Sequence, residues 1–393
     1  MKIAPPLSFL LFTLAYLILI ISGCRDKFYS SADSQSIHVA EVANIYQVDP
    51  GGVTGVSLKD MVSEVDYTLL KLPSEMFFRE TLKVIFHDNH FYFLDRAVGS
   101  PDASIFCFDL TGTFRYVIDE VGRGPGEYAR IMDFDVTDEY VIIYAEKGFL
   151  FYDVISGEFV KSMDKTKVSS TSFAVIDENA ILMDAGRYVH NKSKNQLKVY
   201  DIDSKDVIYE DFPFNNSSLK LSHIYRYIFT AKDTVSALPM FSQIVYRAYK
   251  KDRNYLIKPA YELDFGDFWI PNQILANSYK NRDKFFDSYQ DFVSTAEVFE
   301  TNEIIYAHYQ LNGEYLTFIH DRRSERSLNI NSFKENSIGW LGKPFATQGD
   351  WIINLVAPFQ IEDADITPND GLKEVLSLAS DEGQPILVKF KVE

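Results

Sequence analysis

The chain has 393 residues, 46% of them hydrophobic, enough to bury the core of one large domain or two ordinary ones, so wholesale disorder is excluded. Its net charge of −17 excludes attraction to nucleic acid or to an anionic lipid surface, and leaves neutral sugars, cations and protein partners as compatible ligands. Two cysteines, Cys24 and Cys107, exclude a disulfide framework and a cysteine-built zinc site, while 31 Phe and 24 Tyr lean the chain towards β structure.

The N-terminus reads "MKIAPPLSFLLFTLAYLILIISGCRDK". One early lysine precedes an apolar run from Leu7 to Ile21, which is short for a membrane span of about 20 residues and suits the core of a secretory signal. Ile21-Ser22-Gly23-Cys24 resembles a bacterial lipobox, so residues 1–23 are expected to be a lipoprotein signal peptide and Cys24 the lipidated first residue of the mature chain. Two or three acyl chains there would hold the protein stably on a membrane, where one chain is marginal. Residues 24–60 are expected to hold a polar tether and the start of the fold, and residues 61–393 the fold itself.

Further along, "DYTLLKL" (66–72) is a strand without a following hairpin partner. Then a pattern recurs. "IFCFDLTGTF", "FLFYDVISGEF" and "QLKVYDIDSKDV" each end an apolar run in aromatic-Asp, at Asp109, Asp153 and Asp201. Upstream of each lies a hairpin-like pair of apolar runs split by a polar pair: Asp88-Asn89, Asp138-Glu139, and Asp177-Glu178 or its neighbour Asn179. Four strands per repeat of 44 to 48 residues is the arithmetic of a β-propeller. Residues 233–266 supply a fourth blade, 292–321 a fifth, and 350–359 with 385–393 part of a sixth. Segments 271–292 and 369–381 read as helices decorating one face. The expected fold is therefore all-β: a six-bladed β-propeller of four-stranded blades with small helical insertions. The strand at 66–72 is expected to close the ring beside "ILVKFKV" (386–392).

"VGRGPGEY" (121–128) is the densest small-residue stretch. Its glycines space as G-x-G-x-G and a strand follows, so it lacks the spacing and the helix of a dinucleotide loop, and no P-loop lysine occurs. It is expected to turn the chain between blades, with glycines supplying positive φ and Pro125 fixing a corner. Arg123, Glu127 and Tyr128 beside it are the candidate ligand-binding residues, offering a cation, an acceptor and a stacking face. His87 and His90 would be cross-strand neighbours, but third and fourth metal ligands are not identifiable, and no metal or other cofactor is expected. No G-x-S-x-G, H-E-x-x-H or S-x-x-K set is present, so no catalytic residue is assigned; paired carboxylates drawn from different blades stay open. Aromatic clusters at 223–229 and 265–271, with Trp340 and Trp351, read either as blade core or as a sugar-stacking platform.

Residues 108–136, "FDLTGTFRYVIDEVGRGPGEYARIMDFDV", resemble the hallmark of the six-bladed β-propeller lipoproteins abundant in Bacteroidota: Phe-Asp-x-x-Gly, then Gly-x-Gly-Pro-Gly-Glu, then a strand ending in Asp. "DYTLLKL", "AYELDFGDFWIP" and "DEGQPILVKFKVE" agree with it, apart from Gln384 where the family usually has Asn before Pro385. The motif is also similar to that of NHL-type propellers. The resemblance implies the fold and an outer-membrane or other envelope location, facing the periplasm or the outside, and no settled activity. Two functions are carried forward. One is a non-catalytic scaffold, held to the membrane through Cys24, that binds a glycan or an envelope protein. The other is a lactonase-like or glycosidase-like hydrolase with a metal or carboxylates at the central channel. Three or more carboxylate, His or Asn side chains converging at one channel mouth would favour the second.

Overall fold

A computed structural model describes residues 42–52, 55–97, 100, 102–164, 170, 172–184, 195–213, 228–231, 234–252, 254–277, 289–340, 342–364, 366–379 and 384–393. The signal peptide, Cys24, most of the tether and residues 278–288 of the segment read as a helix lie outside the described residues.

A short leader of β1 (Ile45–Gln47), β2 (Val56–Ser57) and the single-turn α1 (Leu58–Met61) runs into β3 (Val62–Leu69). Blade one follows as β4 (Thr81–His87), β5 (His90–Arg96), β6 (Ala103–Asp109) and β7 (Phe114–Ile118), and blade two as β8 (Ile131–Val136), β9 (Tyr140–Ala145), β10 (Gly148–Asp153) and β11 (Phe159–Asp164). Blade three is β12 (Ser172–Asp177), β13 (Ala180–Asp184), β14 (Asn195–Asp201) and β15 (Asp206–Pro213). Blade four is β16 (Ile228–Ala231), β17 (Thr234–Ala237), β18 (Ile244–Lys251) and β19 (Asn254–Asp264), after which comes α2 (Asn272–Asn277). Blade five is β20 (Ala296–Glu300), β21 (Ile304–Leu311), β22 (Glu314–Asp321) and β23 (Arg326–Ile330). After β24 (Phe333–Lys334), blade six is β25 (Ala346–Gln348), β26 (Trp351–Val356) and β27 (Ile386–Val392), with α3 (Pro358–Asp363) and α4 (Asp370–Leu378) inserted before β27. The protein is the six-bladed propeller expected, and its sixth blade takes its outer strand from the start of the chain: β3 pairs antiparallel with β27 from Leu69–Ile386 to Val62–Val392.

The first strand of each blade is the innermost. β4 touches β8, β8 touches β12, β12 touches β16, β16 touches β20, β20 touches β25, and β25 touches β4. Middle strands are covered on both sides by adjacent blades and so read as continuous apolar runs: β6 is buried over six successive residues and β10 over five. Outer strands face solvent, and β11 keeps one buried residue, Met163. The recurring aromatic-Asp has a mechanical reason. Each aspartate accepts from the turn that follows it: Asp109 from the Thr111 N–H at 2.9 Å, Asp153 from Ser156 at 2.8 Å, Asp201 from Ser204 at 2.7 Å and Asp321 from Arg323 at 2.8 Å. Those bonds, chiefly the Ser156 N–H and hydroxyl, hold the Asp153 carboxyl below the usual carboxylate range.

Because each blade runs antiparallel through four strands, the described blade-to-blade connections, and the described turns between second and third strands, emerge on one face of the disc. The glycine-rich run, α2, α3 and α4 therefore share a face. The helix expected at 369–381 is present as α4, capped by Asn369, which accepts from the Leu372 N–H at 2.8 Å. Of the segment 271–292, α2 covers the beginning. The strap formed by β1 was not anticipated: it pairs parallel with β19, giving blade four a fifth strand.

Phe390 of β27 is 2% exposed and meets Trp340 edge-on at 4.9 Å in the closing blade. Phe390→Ala is expected to cost about 3–5 kcal/mol in urea unfolding. Phe359→Ala, at a position 47% exposed on α3, is expected to change stability by no more than about 0.5 kcal/mol.

Candidate ligand-binding site

The residues singled out at 121–128 form a closed turn. The Gly122 N–H donates to the Tyr128 carbonyl at 2.9 Å and the Tyr128 N–H to the Glu120 carbonyl at 2.9 Å. Glu127 folds its carboxylate back inside, accepting from the Gly124 N–H at 2.6 Å, and a Cβ at Gly122 would collide with that carboxylate. Gly126 has φ +77°, and a Cβ there would enter the Phe159 ring of blade two. Tyr128 is 1% exposed, and its hydroxyl donates to the carbonyls of Ala103 and Ile118 in blade one at 2.9 and 3.1 Å. Burial keeps that phenol un-ionised, its pKa well above the ordinary value. Of the three candidates Arg123 alone is exposed, and its carbonyl accepts from Lys147 Nζ at 2.6 Å. The structure thus gives Glu127 and Tyr128 definite work inside the turn. None of the three lines the two cavities described next.

The central channel is a cavity of about 110 Å³ walled by all six inner strands. Of its charged lining residues, Lys83, Asp135 and Glu300 are engaged in ties between blades, and Glu297 pairs with Lys343 of the connection from blade five to blade six. Lys83 Nζ pairs with Asp133 at 2.8 Å and donates to the Phe134 carbonyl at 2.7 Å, linking blades one and two. Asp133 in turn accepts from the Ser172 hydroxyl and the Phe173 N–H of blade three at 3.1 and 2.9 Å. Asp135 accepts from the Val175 N–H at 2.7 Å, and complete burial pushes its carboxyl above the ordinary range despite Lys83 nearby. Glu300 receives Arg247 at 2.9 Å, Arg322 at 2.6 Å and the Tyr261 hydroxyl at 2.7 Å, which joins blades four and five. Between these ties the wall is mostly apolar, with Val84, Phe86, Phe173, Ile228, Val298 and Phe345, and is interrupted by Thr230 and Thr347. Among the described residues no group of three or more His, Cys, Asp or Glu side chains is placed to hold a metal. His87 does face His90 across a tight turn, but His87 Nε2 lies 3.0 Å from Asp138 of blade two and His90 Nδ1 lies 2.7 Å from the Asp88 carbonyl. Cys107 is buried, which raises its thiol to about 11 and leaves it unreactive.

A larger cavity, about 560 Å³, opens at blade five, on the face that carries the blade connections. Strand parity builds one wall. Register pairs Glu297 with His308, His308 with Thr317, and Gln310 with Tyr315, so alternate residues of β20, β21 and β22 present one polar row, which Thr295 extends. The opposite wall is the connection to blade six, through Asn331, Phe333, Gly342 and Lys343. Tyr306 pins that connection, donating its hydroxyl to the Gly342 carbonyl at 2.8 Å. Tyr289, Gln290 and Phe292 complete the lining. Tyr315 is 61% exposed, yet its ring is held parallel to His308, with centroids 5.1 Å apart and planes at 7°. Two buried polar atoms of this wall, His308 Nδ1 and Thr295 Oγ1, have no hydrogen-bond partner. Thr295 itself is 8% exposed. Orphan polar atoms of this kind cost roughly 1–3 kcal/mol each and are uncommon in folded proteins.

The family model for a domain of unknown function, DUF4934, matches residues 39–391. The chain belongs to the DUF4934 family. This DUF4934 propeller is similar in structure to a candidate exported protein of Bacteroides fragilis NCTC 9343, with a TM-score of 0.75 and 19% identity over 89% of this chain and 100% of that one. At that identity the likeness shows a shared fold. It is also matched by the β-propeller domain of Myceliophteria thermophila Cps50 (Swd1), TM-score 0.38 and 10% identity over 65% and 88% of the two chains. The extracellular domain of a candidate hybrid two-component system of B. thetaiotaomicron matches with TM-score 0.37 and 13% identity over 70% and 30%. A search among curated proteins finds no significant match.

Sequence reasoning placed 292–321 of the DUF4934 chain in a blade and missed its polar row. The signal was present: His308 and Gln310 continue the face that Ile304 and Tyr306 begin, so that one side of β21 turns from apolar to polar towards the connection face. The aromatic clusters resolve differently. Trp340 is core, wedged against Tyr306, Phe333 and Phe390, and Trp269 stacks on Phe265. In the cluster at 223–229, residues 223–227 lie outside the described residues.

Burial pulls the His308 imidazole down from 6.5 to about 4, with Glu297 opposing and Lys343 adding to the shift. The unfolded chain therefore binds the proton first as pH falls. The stability contributed by a neutral His308 is complete above about pH 6.5 and lost progressively down to about pH 4. Urea titrations across that window should show a steeper acid loss for the native protein than for His308→Gln.

Proposed function

We propose that this DUF4934 protein is an envelope lipoprotein whose propeller is a non-catalytic scaffold, lipidated on Cys24 and binding a small ligand in the blade-five cavity. The carrying observation is the cavity itself, about 560 Å³ and of ligand size, whose wall carries the exposed Tyr315 ring beside a row of polar side chains. Three carboxylates do line the channel, Asp135, Glu297 and Glu300, and what favours a scaffold over a hydrolase is that each is already held by hydrogen bonds or an ion pair within the protein. Envelope placement is supported by the lipobox-like Ile21–Cys24 and by the candidate exported status of the B. fragilis protein of similar fold. No helix among the described residues is long and apolar enough to cross a membrane, so in this reading attachment rests on the N-terminal lipid. Glu127 and Tyr128 serve the inter-blade turn, and Arg123 is left as an exposed cation on the same face as the cavity.

Two measurements test this. Cys24→Ser should abolish incorporation of labelled palmitate and move the protein out of the membrane fraction; label retained by the variant would defeat the anchor. Asn331→Trp places an indole on the cavity wall. Small-molecule fractions of envelope extract should raise the melting temperature of the native protein and leave the variant unshifted. An equal shift in both would place the ligand elsewhere.

A further inference from the structure

Resting on the cavity reading above, the lining assigns the chemical class of the ligand: we infer that it is a neutral saccharide. Three features of the wall point there together. The first is charge. The only charged side chains among the described lining residues are Glu297 and Lys343, which neutralise each other in an ion pair at 2.5 Å, and the half-buried His308 pairs with Glu297 across the two strands. A phosphate or carboxylate ligand would meet no unpaired cation, and an ammonium ligand no unpaired anion.

The second feature is the ring of Tyr315. One of its faces is fixed against His308, and with 61% of the residue exposed the ring presents a pre-oriented apolar surface at the cavity. Such a plate loses little entropy when it is covered. It suits the carbon-bound hydrogens on one face of a pyranose ring. The third feature is the set of neutral amide side chains around the plate with surface open to a ligand: Gln290, Gln310 and Asn331. Hydroxyl groups both donate and accept, so they match the carbonyl and the NH2 ends of such amides equally well. An apolar plate inside a ring of neutral donors and acceptors complements a molecule with an apolar face and a hydroxyl rim. A peptide would leave its charged termini or its backbone direction unread by this wall.

The test uses the full-length protein in detergent and isothermal titration calorimetry. The probes are neutral tetrasaccharides (gluco-, manno- and xylo-configured), oligogalacturonate as the acidic arm, and a mixed tetrapeptide pool. At least one neutral tetrasaccharide should bind. Tyr315→Ala should weaken it by tenfold or more. Gln310→Ala should weaken it by about tenfold while leaving the melting temperature of the unliganded protein nearly unchanged, since the half-buried amide lies on the cavity wall and outside the core. A merely structural glutamine would instead lower that temperature. Periodate treatment, which cleaves vicinal diols, should also abolish the stabilising effect of active envelope fractions. Binding of oligogalacturonate or peptide in place of neutral sugars, or stabilising fractions that survive periodate, overturns the saccharide class and leaves the cavity reading intact. Failure of every neutral tetrasaccharide to bind overturns the inference. If in addition no envelope fraction distinguishes the native protein from Asn331→Trp, the cavity reading falls with it.

Discussion

Ring closure is the constraint on which the other features depend. A propeller blade buries both faces only if it has a neighbour on each side, so six sheets laid in an open arc would leave two apolar faces in water. Here the seam lies inside blade six, where β3 from the beginning of the fold pairs with β27 from its end over the register from Leu69–Ile386 to Val62–Val392. The ladder is backed by side chains. Lys389 reaches Asp66 at 2.7 Å and Lys391 reaches Glu64 at 2.8 Å across the same two strands. These exposed pairs add little energy and serve mainly to fix register. The strap of β1 on β19 and β2 on β24 extends the same principle, drawing the leading segment along blades four and five before it enters blade six.

With the ring closed, the channel is left to polar ties. Buried charges are expensive, and this fold spends them where strands of different blades approach most closely: Lys83–Asp133 with Ser172, Asp135 with Val175, and Glu300 with Arg247, Arg322 and Tyr261. Each carboxylate accepts several donors, which compensates its loss of water. The geometry that makes the channel a set of fasteners also fixes the position of each of these carboxylates. At blade five the reverse holds. The polar row across β20, β21 and β22 faces the connection to blade six, and where it opens into the cavity Tyr315 and Gln310 keep surface open to a ligand.

Much of the fold was legible because its causes are local. Alternation, turn chemistry and the repeated aromatic-Asp mark four strands per unit, and the aspartates bond the turns directly behind them. Closure was legible too, since an orphan strand near the start and another at the end leave few other partners. The strap β1 was not, because three residues carry no period of their own and gain strand character only from the edge of β19. The helix α3 escaped as well. Its Pro358 and Gln360 signal a helix start, but six residues after a strand make a weak pattern. In the glycine-rich run Gly126 takes the expected positive φ while Gly122 and Gly124 do not, and the side chains were not legible: Glu127 and Tyr128 read as projecting groups, whereas the turn folds the Glu127 carboxylate inward and buries the Tyr128 ring in blade one.

By itself, then, the amino-acid sequence determined the number of strands per unit, the six-unit ring, its closing strands and the face on which the connections emerge, since these follow from periodicity and turn residues read a few positions at a time. Tertiary structure decided which polar residues are spent and which are available. Asp133, Glu300 and Glu127 carry no mark in the sequence of being engaged, and what engages them is the set of donors brought within 3 Å by residues 22 to 53 positions away, or by the curl of a turn. Hydrogen-bond satisfaction is a property of three-dimensional neighbours, so the cavity at blade five became visible only once the blades were set side by side.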